Sequence, residues 1–331
     1  MRPENTDNYQ FRWVKIGLNN TPWLVFFACF IFLLGITSLC LAGCAEQGSA
    51  EPLDVSDENE REIYLPEKPE VKVSDKAPVL GDPLEIKLKN VKKLSDLTLE
   101  TNFEGDTTRV FFQEGTLRVI KGIDYYNAVG EYTIYLKVTG KAGNTWNEKL
   151  DIEILAGNFQ EQEFSVAIEA PEEWTEENLK KQRELVEASR QDTAKEPLWA
   201  GEFIWPLDGD ITSEFGAVRI INQGEPNRHS GIDIAESTGT SIKAANSGRV
   251  RLAEPLVSMG KTVIIDHGVG ITSEYLHMDE IYVEAGEKVS KGEIIGEVGE
   301  TGFATGPHLH WQIYIDETPV NPAWFLKEDS D

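Results

Sequence analysis

Thr305-Gly306-Pro307-His308-Leu309-His310-Trp311, near the C-terminus, is the stretch on which the reading of this chain turns. A tight Gly-Pro turn delivers two histidines, one residue apart, onto a segment that reads as a strand. Side chains alternate along a strand, so His308 and His310 share one face, with imidazoles roughly 6 to 7 Å apart at a rise of about 3.3 Å per residue. That spacing suits a metal ion, but a His-x-His pair cannot hold one without further ligands.

Working outward, residues 201–331 are rich in glycine and in short β-branched runs. These include Gly248-Arg249-Val250-Arg251-Leu252, Thr262-Val263-Ile264-Ile265-Asp266 and Ile294-Ile295-Gly296-Glu297-Val298. An all-β domain is expected here. It holds all five histidines of the protein, His229, His267, His277, His308 and His310. His229 and Asp233 stand four residues apart, on one face of a strand or a helix. Two histidines and a carboxylate with one position left open make the ligand set of a hydrolytic zinc centre. His267 precedes Gly268 at a strand end and reads as structural.

The rest of the chain surrounds that domain with spacers and a second β unit. Residues 1–44 run through an uncharged apolar stretch, Trp23 to Ala42, long enough at about 20 residues to span a bilayer. Basic residues before it and acidic ones after it put the N-terminus inside and the body of the protein outside the membrane. The stretch ends in Leu41-Ala42-Gly43-Cys44, which resembles a bacterial lipobox and implies Cys44 as the lipidated residue. An uncleaved signal-anchor helix is the other reading of the same residues. Residues 45–76 read as an acidic, solvated linker. Residues 77–169 alternate with period two in short runs separated by glycines, as expected of an immunoglobulin-like β-sandwich serving as spacer or binding module. Residues 170–200 form a linker whose stretch from Thr175 to Ala194 predicts one interdomain helix, with Thr175 as N-cap and Glu176 and Glu177 at the positive end of its dipole.

Composition narrows the partners. With 57 acidic against 31 basic residues the formal net charge is -26, which opposes binding to nucleic acid or to an anionic membrane surface. The three cysteines, Cys29, Cys40 and Cys44, all lie in or just after the apolar stretch, so the body of the protein has no disulfide framework and no cysteine-rich zinc site.

From about Phe203 to Phe325 the chain resembles the M23 (lysostaphin and LytM-like) zinc metallopeptidases of bacterial cell walls. The motifs that carry the resemblance are Arg228-His229-Ser230-Gly231-Ile232-Asp233-Ile234, Tyr275-Leu276-His277, and the run from Gly299 through Gly306-Pro307-His308-Leu309-His310-Trp311. The resemblance implies Zn²⁺ bound by His229, Asp233 and His310, with His277 and His308 beside the metal as catalytic residues. The chain contains no His-Glu-x-x-His, so one of these two histidines is expected to accept the proton of the water and the other to donate to the developing oxyanion, in either order. The function implied is a membrane-tethered zinc metalloendopeptidase, anchored outside the cell membrane, that hydrolyses peptide bonds of peptidoglycan. Some relatives of the family have lost metal residues and act as non-catalytic regulators that activate a cell-wall amidase, which is the alternative. This chain keeps all five positions.

Overall fold

The computed structural model describes residues 14–17, 68–90, 98–101, 108–139, 145–164 and 171–326. The apolar stretch Trp23–Ala42 and Cys44 lie outside the described residues. Among the described residues no helix is long and apolar enough to cross a membrane.

Alternating apolar residues in the first half of the body build two sheets whose inner faces meet. The strands are β1 (Val14–Gly17), β2 (Glu70–Val73), β3 (Pro83–Lys89), β4 (Thr98–Thr101), β5 (Thr108–Gln113), β6 (Thr116–Gly122), β7 (Gly130–Thr139) and β8 (Thr145–Ile154). One sheet has the order β2-β3-β6-β5 and the other β1-β4-β7-β8. Leu84, Ile86, Leu88, Leu117 and Val119 of the first pack against Ile134, Leu136, Val138, Ile152 and Ile154 of the second in one core. Strands β5 and β6 form a hairpin through Glu114 and Gly115, both with positive φ (49° and 78°), the backbone of a two-residue turn that matches strand twist.

Two boundaries on this side of the chain differ from the sequence reading. Glu70–Val73, placed there in the acidic linker, is an edge strand on β3, because Val71 and Val73 alternate inward against the sandwich core. Val14–Gly17, inside the span read as leader, pairs with the free edge of β4.

The C-terminal half is built on a large antiparallel sheet. Its strands are β9 (Glu161–Phe164), β10 (Asp210–Ser213), β11 (Val218–Ile221), β12 (Asn227–Arg228), β13 (Ile232–Ala235), β14 (Ser241–Lys243), β15 (Gly248–Leu256), β16 (Gly260–Gly268), β17 (Ile271–Ile281), β18 (Lys288–Val289), β19 (Ile294–Val298), β20 (His308–Ile315) and β21 (Thr318–Val320). The spine runs β10-β13-β20-β17-β16-β15-β18. A smaller sheet, β12-β11-β9, flanks it, so Glu161–Phe164 belongs to this half and not to the sandwich in which the sequence reading places it. Along β13 and β20 the alternation is strict. Ile232, Ile234, Leu309, Trp311 and Ile313 enter the core, which turns Asp233, His308, His310 and Gln312 to the other face.

Helix α1 (Glu176–Arg190) starts where Thr175 caps it, its hydroxyl accepting from the Asn178 amide at 3.2 Å. The helix lies on the C-terminal half, with Val186 packed among Leu252, Leu256 and Ile264. The sandwich is not held apart as a spacer. Phe111 and Ile120 enter the C-terminal core beside Phe203, Phe325 and Val320, and Arg109 binds both oxygens of Asp316.

Candidate metal centre

Three strand or loop segments bring His229, Asp233 and His310 together. Asp233 on β13 and His310 on β20 are direct antiparallel partners, so their side chains leave the sheet side by side. His229 follows β12 and is fixed by two backbone bonds, its N–H to the Ala217 carbonyl at 2.9 Å and the Gly216 N–H to its own carbonyl at 2.7 Å. Gly216, at φ 78°, lies so close to the Phe159 ring that a Cβ there would stand 2.2 Å from it.

The three side chains converge on a triangle of donor atoms. His229 Nε2 is 3.0 Å from Asp233 Oδ1 and 3.0 Å from His310 Nδ1, and His310 Nδ1 is 2.7 Å from Asp233 Oδ1. The outer atoms are committed elsewhere. His229 Nδ1 donates to the Glu214 carbonyl at 2.8 Å, which leaves Nε2 with a lone pair facing inward. Three electron-rich atoms this close need a cation between them, either a proton or a metal. Zinc bonds of about 2.0–2.1 Å in tetrahedral geometry set ligand atoms about 3.3 Å apart, so the triangle fits one face of a zinc site. Burial would raise the Asp233 carboxyl, but the two imidazoles outweigh it and hold it well below the usual carboxylate range. Burial pushes the His229 imidazole down to about 4, so it is neutral at pH 7 as a ligand must be.

His277 and His308 flank the triangle. Their ring centroids are 4.9 Å apart, and His277 is 6.2 Å from His310. Each donates Nδ1–H to a backbone carbonyl, His277 to Thr301 and His308 to Gly306, both at 2.8 Å. Each ring is thereby held with its Nε2 edge free of backbone, and Nε2 of His308 lies 3.9 Å from Asp233 Oδ1. Desolvation, with the His310 and His308 imidazoles, pushes His277 down to about 3. His277 also has φ 62°, a left-handed backbone in a non-glycine residue.

All five residues singled out from the sequence for chemistry in this domain thus meet at one place. His267 lies outside it, fully buried, with Nδ1 donating to the Ser247 carbonyl at 2.8 Å and Nε2 2.7 Å from the Ser273 hydroxyl. Sequence reasoning missed several residues of the surround. Arg219 on β11 makes an ion pair with Asp233 Oδ2, and no spacing ties it to that carboxylate. Gln312, whose Oε1 is 3.1 Å from His310 Nε2, was within reach, since it continues the every-second-residue pattern of His308 and His310.

The profile of peptidase family M23 matches residues 227–322, which contain all five site residues. Among curated relatives, the peptidoglycan DD-endopeptidase ShyA of Vibrio cholerae is 40% identical over 93 residues, 28% of this chain and 22% of that protein. The cell division protein DipM of Caulobacter vibrioides is 31% identical over 153 residues, covering 44% of this chain and 24% of its own length. The chain thus spans less than a quarter of each of these relatives. The crystal structure of a putative peptidase M23 from Pseudomonas aeruginosa aligns over 75% of this chain and 94% of its own, with a TM-score of 0.56 and 25% identity. That extent exceeds the C-terminal half, so the likeness of fold takes in part of what precedes it. The site and the matches agree that residues 227–322 of this chain are a peptidase family M23 domain.

Proposed function

We propose that the protein is a zinc metalloendopeptidase that cuts peptide bonds in peptidoglycan. The observation that carries the proposal is the inward-facing triangle of His229 Nε2, Asp233 Oδ1 and His310 Nδ1, with the lone pairs of His277 and His308 beside it. The names of the relatives above support the substrate class. Zinc held by those three atoms would lower the pKa of a bound water toward about 7 and polarise the scissile carbonyl. The chain's own groups do the proton work. A neutral Nε2 on His277 or His308 accepts the proton of the water, and the same imidazole, now charged, returns it to the leaving amine. Backbone carbonyls of Thr301 and Gly306 hold each ring in the tautomer this requires.

The reading extends to the outer parts of the chain. The strand orders β2-β3-β6-β5 and β4-β7-β8 are those of a seven-stranded immunoglobulin-like sandwich, which supports that class for the first unit. The lipobox-like Leu41-Ala42-Gly43-Cys44 supports tethering of the protein outside the membrane through Cys44. Processing before Cys44 would remove β1, which pairs with the free edge of β4, and leave the other strand pairs among the described residues intact.

Purified protein incubated with isolated peptidoglycan, with and without a chelator, tests the reading. Release of shortened stem or cross-bridge peptides, abolished by chelation and restored by zinc, is the expected result. Intact peptides in the presence of zinc contradict the enzyme and favour an amidase-activating regulator.

A further inference from the structure

The metal ligand His310 is joined to helix α1 by a chain of buried polar groups lying behind the metal triangle. Arg190, the last residue of α1, donates Nε to Glu274 Oε1 at 2.6 Å and Nη2 to Oε2 at 3.1 Å. Glu274 lies on β17, fully buried, directly opposite Gln312 on β20. Gln312 Nε2 donates to Glu274 Oε2, and Gln312 Oε1 is 2.7 Å from Ser230 Oγ and 3.1 Å from His310 Nε2.

Hydrogen-bond polarity runs one way through this chain. A carboxylate only accepts, so the Gln312 amide must turn its NH₂ to Glu274 and its carbonyl to Ser230 and His310. A carbonyl also only accepts, so His310 must carry its proton on Nε2 and present the Nδ1 lone pair to the triangle. The Ser230 hydroxyl could serve either way round, but turning the Gln312 amide over would set its carbonyl against the Glu274 carboxylate, two acceptors face to face, and its NH₂ against His310 Nε2–H. Gln312 and His310 are both buried, so a mismatch there costs the full desolvation of the groups. The space is also closed by backbone, since a Cβ on Gly231 would stand 2.9 Å from His310 Nε2 and 2.5 Å from the Trp311 carbonyl oxygen. Glu274, in turn, needs a cation to remain buried, and Arg190 supplies it while its guanidinium lies 3.4 Å from the Tyr314 ring centroid.

We propose that Arg190 and Glu274 are positioning residues for the metal centre: they set the polarity of the Gln312 amide, which selects the His310 tautomer that can bind zinc. Arg190 lies outside the matched residues 227–322, so the peptidase domain borrows this part of its metal site from the helix before it. The inference rests on the zinc reading above.

The test uses detergent-solubilised full chain labelled with ¹⁵N-histidine. Long-range ¹H–¹⁵N correlation of the zinc-free protein, with His310→Ala identifying the resonance, is expected to show a proton on His310 Nε2, with or without a second one on Nδ1 that fills the triangle in place of the metal. In Glu274→Gln the new amide can donate or accept, so a mixture of both tautomers is expected. Competition with a chromophoric chelator should then show zinc affinity falling about 10- to 100-fold in Glu274→Gln and Arg190→Met. Lys181→Ala, exposed on the same helix, should leave affinity unchanged. His310 without a proton on Nε2 in the unsubstituted protein overturns the proposal, and that measurement stands even if both variants fail to fold. A folded Glu274→Gln that binds zinc within twofold of the unsubstituted protein overturns it as well. Unsubstituted protein that takes up no zinc sinks the metallopeptidase reading instead, while the tautomer still decides the polarity chain.

Discussion

His277 reaches the metal face only because β17 carries an extra residue there. Leu276 pairs with His310 across the sheet, so regular alternation would send His277 to the opposite face. Between Val263 and Lys261 the partner strand has one residue where β17 has two, and the left-handed backbone at His277 turns its side chain back. Bulges of this kind re-aim side chains at functional sites, and the strain is consistent with a role in proton transfer. His277→Ala and His308→Ala should each keep about one zinc per chain and lose about 10²- to 10⁴-fold in turnover, whereas His310→Ala should lose the metal. Equal loss of zinc in all three, read by atomic absorption, would contradict the division of roles. His267 makes a separate prediction about acid stability. Burial holds it at about 4 against an ordinary 6.5, so the folded protein resists its protonation. Its contribution is complete above about pH 6.5 and is lost as the pH falls toward 4, a change of about 3 kcal/mol. In His267→Asn, whose amide can keep the bond to Ser247, urea unfolding should show a shallower fall in stability between pH 7 and pH 4.5. An unchanged slope would mean that His267 is not the group responsible.

Among the elements, helix α1 was the easiest to anticipate and its purpose the hardest. Thr175, the glutamates of the first turn and the absence of Gly and Pro predict it over Thr175 to Ala194, and it spans Glu176–Arg190. Its few apolar residues suggest a surface helix, and it does lie on a surface, through Val186 against Leu252, Leu256 and Ile264. Val186→Ala removes two methyl groups from that contact and should cost about 2 kcal/mol, measured by thermal or urea unfolding. What no pattern within the helix reveals is that Arg190 ends 84 positions before its partner Glu274. Strand β6 is hard to read from its sequence for another reason. Thr116-Leu117-Arg118-Val119 alternates, but Ile120 follows directly and faces the other way, into the C-terminal core, while Leu117 and Val119 enter that of the sandwich. A strand with apolar residues on both faces does not stand out by period two.

At the scale of the molecule, the two halves share apolar surface. Phe111 and Ile120 sit in the core of the peptidase half, and a Cβ on Gly122 would meet Thr318 at 2.9 Å. Polar bonds reinforce the contact, with Asn321 donating to the Gly81 carbonyl at 2.8 Å and to Asp82 at 3.0 Å. Calorimetry should therefore show the sandwich and the peptidase half unfolding in one transition. Phe111→Ala should destabilise that transition by about 3–5 kcal/mol. Two well-separated transitions in the unsubstituted protein would show that the halves are independent and the contact weak.

The sequence by itself determined the mainly β class, helix α1 and the five residues of the candidate centre. Each of these rests on local patterns: period two along the strands, a cap and a charge pattern at α1, the spacings of His308 with His310 and of His229 with Asp233, and, for His277, the resemblance to a family. Only the tertiary structure decided which atoms of those residues converge on the candidate centre, how His277 is turned toward it, and what stands behind His310. Arg190, Arg219, Glu274 and the docked sandwich act through contacts made by segments distant in sequence. A contact of that kind leaves no period in either segment, because each side chain answers to a partner that the other segment supplies.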